Sequence, residues 1–115
     1  MNIDAVVEGL MSFAEDDWVP LWVICCDVED ELGAEEPERN LELTLVVVRE
    51  LLKRGLIAGD SAVHGIHFKP WPIQDPEAVL EVIRREWSRR CGFPEWGDGP
   101  WFAHLRSCRT SNAAA

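Results

Sequence analysis

Residues 37–60 read PERNLELTLVVVRELLKRGLIAGD and contain the clearest helical pattern in the chain. Leu41, Leu45, Val48 and Leu52 lie at i, i+4, i+7 and i+11, which is the spacing of one face of a helix. The proline at the start suits a first helical position, and the glycine near the end suits a left-handed cap. These signals predict one long, largely buried helix.

After this helix, the pattern of apolar residues is typical of strands rather than of a helix. Leu56-Ile57-Ala58 predicts a short strand, and Ile66-His67-Phe68 predicts a second one. Gly59-Asp60-Ser61 is typical of a turn. We therefore predict a hairpin over residues 56–69, with Gly65 in its loop.

Two further predicted helices precede residues 37–60. Apolar residues at helical spacing predict one from Ile3 to Ala14 and another from Leu21 to Leu32, where Gly33 supplies the stop. Asn2 suits the N-cap of the first helix. Between the two helices, Trp18 to Pro20 favours an extended segment, because Trp and Val prefer strands and proline disfavours helix before it.

The C-terminal half begins with an irregular segment around Trp71. Asp75-Pro76-Glu77 predicts the start of a fourth helix, which runs to about Arg90. Trp101-Phe102-Ala103 predicts a last short strand. We expect one domain over residues 1–105 and a frayed tail over 106–115.

This order of elements resembles a winged helix-turn-helix. The resemblance rests on the extended Trp18 to Leu21, on a third helix ending at Arg54-Gly55-Leu56, and on the hairpin of residues 56–69 as a wing. It covers about two-thirds of the 115 residues. It implies an α+β fold with three N-terminal helices and a β-hairpin wing, to which a C-terminal helix and a short strand are added.

The C-terminal part, from Gly65 to Phe102, is also similar to small bacterial proteins, and that similarity implies no activity. The winged-helix resemblance implies DNA binding through the third helix and the wing. On this alternative the contacts are Arg39, Asn40 and Lys69. The same helix offers Glu38 and Glu42, however, and carboxylates repel phosphates over about one Debye length.

Charge is distributed unevenly along the chain. The net charge is -10 and the isoelectric point is near 4.6. Residues 1–60 hold 15 acids and 4 bases, whereas residues 61–115 hold 6 acids and 7 bases. This balance excludes a broadly basic protein that coats nucleic acid.

The acidic residues concentrate between Asp27 and Glu38. Solvated helix faces are the ordinary explanation of such a run, and docking of a basic partner is the functional one. On the functional reading, partner binding involves the second helix, the loop after it and two tryptophans from Pro- and Gly-rich segments. These residues are Asp27, Asp30, Glu31, Glu35, Glu36, Trp71 and Trp96. The alternative role of the two tryptophans is to cover the core.

Three functions follow from these features. The leading one is a non-enzymatic protein-interaction module with an acidic docking face. Small acidic inhibitors and immunity proteins of nucleic-acid-cleaving toxins are similar in charge, which suggests an inhibitor or a regulatory protein. The alternative is a winged-helix transcriptional regulator. A third is a subunit that forms a homodimer through its Trp-rich C-terminal part.

No catalytic, cofactor or metal motif is apparent. The sequence holds no G-x-G-x-x-G, Walker, H-E-x-x-H or G-x-S-x-G pattern. Cys91 with His104 is the only pairing of a thiol with a base that is worth naming, and Cys108, four residues after His104, does not complete a zinc pattern with them. We predict no enzyme activity, no cofactor and no bound metal.

The four cysteines do not predict a disulfide framework. Cys25 and Cys26 are adjacent and point in different directions on a helix, and Cys25 fits the apolar stripe. No apolar run approaches the ~20 residues of a membrane span. We expect reduced thiols and a cytoplasmic protein without membrane contact.

Overall fold

The computed structural model describes residues 2–62, 67–88 and 99–104, which form four helices and four strands in the order α-β-α-α-β-β-α-β. The helices are α1 (Ile3–Asp16), α2 (Leu21–Leu32), α3 (Pro37–Lys53) and α4 (Pro76–Ser88). The strands are β1 (Val19–Pro20), β2 (Leu56–Ala62), β3 (His67–Pro70) and β4 (Trp101–His104). The fold is therefore α+β. The predicted tail, the Gly65 turn and the end of the fourth helix at Arg90 lie outside the described residues.

The helix ends confirm the capping signals. The Asn2 side chain accepts a hydrogen bond of 3.2 Å from the backbone N–H of Ala5, and Asp75 accepts one of 3.1 Å from Ala78. Gly33 ends α2 with φ at 69°, a left-handed conformation that glycine adopts without strain. Each of these helix ends could be predicted from the sequence, because a helix cap depends only on neighbouring residues.

The sheet is antiparallel and its strands lie in the order β1-β4-β2-β3. Phe102 of β4 pairs with Val19 of β1 on one side and with Ala58 of β2 on the other. The C-terminal strand is thus inside the sheet. Its existence was predicted from the sequence as an added short strand, and its interior position in the sheet was not predicted.

The predicted turn at residues 59–61 was also wrong, because these residues belong to β2. Gly59 is needed there for close packing: a Cβ at this position would lie 2.5 Å from the Phe68 ring. The predicted hairpin itself is confirmed, since β2 pairs with β3 and Ser61 lies opposite Phe68. A glycine that admits an aromatic ring and a glycine that makes a turn look alike in sequence.

Alternation along the strands places one core on each face of the sheet. Leu56, Ala58 and Phe102 belong to the main core, which the helices cover. Ile57, Trp101 and Ala103, which alternate with these residues, belong to a smaller cluster on the other face. That cluster also includes Phe68 and Trp18. In that cluster the rings of Trp18 and Phe68 meet edge to face, with centroids 5.4 Å apart.

Helix α3 lies at the centre of the helical layer. It contacts α1, α2, α4 and β2. Its buried residues are Asn40, Leu41, Thr44, Leu45, Val47, Val48 and Leu51. Two ion pairs join α3 to α4, one from Arg49 to Glu77 and one from Arg84 to Glu42, so the two helices run antiparallel.

Candidate functional site

Seven carboxylates surround the junction between α2 and α3, and no basic residue interrupts them between positions 27 and 38. We call this set the acidic surface; it comprises Asp27, Glu29, Asp30, Glu31, Glu35, Glu36 and Glu38. All are exposed except Asp27, which is half-buried. Five of the predicted partner-binding residues belong to it, so the structure brings that part of the prediction together.

The acidic surface opposes the dipole of α2. Glu29, Asp30 and Glu31 occupy the end of this helix, where the backbone carbonyls carry partial negative charge, and its last turn has no basic residue. Helix α3 has the favourable arrangement, with Lys53 in its last turn. Each acid at the end of α2 therefore costs stability, by about 0.3–1 kcal/mol.

Burial and the nearby carboxylates perturb two groups at this surface, Asp27 and the neighbouring Cys26. Burial, together with Glu31 and Asp30, raises the pKa of Asp27. Burial also raises the pKa of the Cys26 thiol, and the carboxylates of Asp30, Glu29 and Asp27 raise it further. The surface thus carries a concentrated negative potential.

Replacing Asp27 by asparagine should stabilise the domain at neutral pH. Because the folded-state pKa of Asp27 is raised, its ionised form is less favourable in the folded chain than in the unfolded one. The gain should appear as the pH rises above about 3.9, the ordinary Asp value, and vanish below it. Partial exposure screens the charge, so we expect a rise in Tm of about 1–2 °C at pH 7.

Thermal unfolding of both proteins at pH 7 and at pH 3.5 measures this effect. The control is Glu35→Gln, which removes a charge from an exposed loop position. An equal gain from Asp27→Asn at both pH values would contradict the proposed cause.

Five basic side chains of the described residues pair with acids outside the acidic surface. Five ion pairs occur within residues 2–62, 67–88 and 99–104, and none includes a member of the acidic surface. They join Arg49 to Glu77, Lys53 to Glu50, Arg54 to Glu8, Arg84 to Glu42 and Arg85 to Glu81. Within this part of the chain, the acidic surface lacks a cationic partner.

The buried side-chain amide of Asn40 holds together the segments that carry the acidic surface. The side-chain nitrogen of Asn40 donates to the backbone oxygens of Cys25, at 3.0 Å, and Ala34, at 3.1 Å. The Thr44 hydroxyl donates to the Asn40 side-chain oxygen at 3.0 Å. Asn40 thereby joins α2, the loop after it and α3 in a satisfied network.

Asn40 is fully buried, at 0% exposure, so its prediction as a DNA-contacting residue was wrong. The signal that could have placed it is its spacing: Asn40, Thr44 and Val48 lie four residues apart and share a face of α3. Arg39 and Lys69, the other two alternative contacts, are exposed. They lie on separate elements, at the start of α3 and on the edge strand β3.

Trp71 lies in the segment between β3 and α4, and no residue that lines its cavities belongs to the acidic surface. It is half-buried and packs against the main core. It lines both a cavity of about 300 Å³ and an adjoining one of about 240 Å³. We call this pair of cavities the Trp71 groove. The other predicted tryptophan anchor, Trp96, lies outside the described residues.

The remaining cysteine and histidine predictions involve few described residues. Cys25 is buried, as predicted, and burial raises the pKa of its thiol to about 12. Cys91 and Cys108 lie outside the described ranges. Within those ranges, no group of three or more His, Cys, Asp or Glu side chains could hold a metal ion. Nor do they contain a helix of sufficient length and hydropathy to cross a bilayer.

Comparisons with protein-family models, curated proteins and solved structures found no match to this chain. Function is therefore inferred from the site alone.

Proposed function

We propose that this chain is a non-enzymatic protein-interaction module whose acidic surface docks a basic protein partner. One observation carries the proposal: the acidic surface has no ion-pair partner among the described residues, while the described acids of α1, α3 and α4 supply five ion pairs. A partner with Lys and Arg side chains would supply the missing cations.

The cost of the acidic surface supports the same proposal. Acids at the C-terminal end of α2 oppose the helix dipole, and burial together with repulsion from Glu31 and Asp30 raises the pKa of Asp27. Functional surfaces often retain such unfavourable features because stability is traded for activity. With a net charge of -10, the chain would also steer a basic partner toward itself before contact.

Within this proposal the scaffold is winged-helix-like. The order α1-β1-α2-α3-β2-β3 follows that of the family, with β4 inserted between β1 and β2. The helix that would read DNA is packed against three other helices, and Asn40 is buried beneath its surface. These features support a protein-binding rather than a DNA-binding use of the scaffold, of the inhibitor or immunity type or in regulation.

Capture from the native lysate tests the function. Tagged protein should recover a basic protein whose association survives nuclease treatment and weakens with salt. The test variant reverses Asp30, Glu31, Glu35 and Glu36 to Lys. For the purified partner we expect its Kd to rise at least 100-fold, equivalent to about 2.7 kcal/mol, because like charges then face each other.

The control variant makes the same change of charge elsewhere, at Glu15, Asp16, Glu50 and Glu81. Its Kd should stay within about fivefold of the native value, because long-range steering acts more weakly than direct contact. The test variant should be at least as stable as the native chain, since Asp30→Lys and Glu31→Lys place cations at the end of α2. Undiminished binding by the test variant, or recovery only of nuclease-sensitive DNA, would refute the proposal.

A further inference from the structure

The Trp71 groove combines two kinds of lining. The residues that line its larger cavity include Trp71, Trp87, Asp60 and Glu86. The lining of its smaller cavity is apolar and includes Ile73, whose side chain is 62% exposed. The two cavities share Trp71 and Val82, so an apolar surface adjoins one that includes acidic residues.

We propose that the Trp71 groove receives a segment of the partner protein in which a lysine or arginine stands beside a large apolar side chain. The apolar side chain would lie against Pro72, Ile73 and Val82, and the cation would enter the larger cavity. This inference rests on the proposed function, because it assigns a second anchoring contact to the same basic partner.

Charge complementarity selects a cation for the larger cavity. The lining includes Asp60, an acidic residue whose side chain is exposed. Lys69 is the cross-strand neighbour of Asp60, yet the two form no ion pair in the described part of the chain. Indole faces also attract Lys and Arg side chains, and Trp binds them best among the aromatic residues.

The groove is preorganised by a glutamine. Gln74 accepts from the backbone N–H of Ala58 at 2.8 Å and donates to its oxygen at 2.7 Å, and it also donates to the Trp71 oxygen at 2.9 Å. The backbone N–H of Trp71 donates to the same Ala58 oxygen at 3.0 Å. These bonds fix the segment on β2, so binding loses little conformational entropy there.

Blocked dipeptides probe the groove without the partner. The probes are Ac-Leu-Arg-NH2, Ac-Leu-Gln-NH2, which lacks the cation, and Ac-Gly-Arg-NH2, which lacks the apolar side chain. The readout is the indole N–H signal of Trp71 in NMR spectra of the ¹⁵N-labelled chain, assigned with Trp71→Phe. We expect saturable binding of Ac-Leu-Arg-NH2 with a Kd of about 1 mM, as befits so small a ligand.

A separate probe or variant tests the contribution of the cation, of the apolar side chain and of Asp60. The two other dipeptides should bind at least fivefold more weakly, and Asp60→Asn should weaken binding of Ac-Leu-Arg-NH2 at least threefold. The control Asp16→Asn removes a carboxylate from the exposed end of α1 and should leave the Kd unchanged. Equal affinity for the arginine and glutamine probes, no effect of Asp60→Asn, or no shift at 10 mM (about ten times the expected Kd) would overturn the inference.

The acidic-surface variant separates this inference from the proposed function. With its four lysines, that variant should still bind Ac-Leu-Arg-NH2 in the groove. If no basic partner is captured but the dipeptide binds as described, the proposed function fails and the chemistry of the groove stands. A dimer that Ile73→Lys dissociates in light scattering would make a second copy the occupant and overturn the inference.

Discussion

Replacing Phe102 by alanine should lower the free energy of unfolding by about 3–5 kcal/mol. Phe102 is fully buried and lies on β4, between β1 and β2. The substitution removes a large ring from the main core and leaves a cavity that flanking strands, held by their hydrogen bonds, cannot close. Urea unfolding at equilibrium measures the loss.

Ile73→Ala is the matched control, because it truncates an apolar side chain that is largely exposed. Its cost should be within about 0.5 kcal/mol. A loss below about 1 kcal/mol for Phe102→Ala would contradict the central role of β4, since truncating a buried phenylalanine ordinarily costs several times more. That result would mean that the C-terminal strand is not part of the cooperative core.

Local signals account for the parts of the fold that were predicted. Helix α2 begins and ends at Leu21 and Leu32, as predicted, because proline and glycine bound its apolar stripe. Helix α4 begins at Pro76 for the same kind of reason, with Asp75 as its cap. Helix α1 runs two residues beyond its predicted end, to Asp16, since acids without apolar spacing can still continue a helix.

The position of β4 in the sheet could not be predicted from local sequence signals. Its pairing with β1 joins Phe102 to Val19, which are far apart in the sequence. A short strand carries no local mark of which neighbours it will choose, and the sheet order depends on packing of the whole chain. The error at Gly59 has the same origin, because its neighbour Phe68 belongs to another strand.

The acidic surface was more predictable than the groove. Its carboxylates are consecutive or nearly so, and charge runs are visible in any sequence. The groove assembles Asp60, Trp71, Val82 and Glu86 from a strand, a loop and a helix. Of these, only Trp71 was singled out from the sequence, because its Pro-rich surroundings indicated a role outside a regular element.

The Asn40 network explains how the acidic surface can be maintained. Repulsion among the carboxylates favours opening the junction between α2 and α3, and the hydrogen bonds of Asn40 to Cys25 and Ala34 oppose that opening. Because these bonds are buried, water does not compete for them. The network therefore offsets part of the electrostatic cost of the surface that we propose as the docking site.

Replacing Asn40 by aspartate should reverse this effect and destabilise the domain by about 3–5 kcal/mol at pH 7. Two backbone oxygens that now accept hydrogen bonds would face a carboxylate, and only the Thr44 hydroxyl would remain as a donor. Burial would raise the pKa of the new carboxyl in the folded state. The folded chain would therefore favour the protonated form, whose O–H can donate to one of the two oxygens.

The loss relative to the native chain should consequently shrink as the pH falls from 7 toward about 4, where the unfolded carboxyl is also protonated. Urea unfolding of both proteins at each pH measures it, and Ser12→Asp adds the same charge at an exposed position of α1 as a control. A loss that does not change with pH would show that shape rather than charge matters at position 40. A loss confined to high pH would mean that the buried amide is required because it is a neutral donor beneath seven carboxylates.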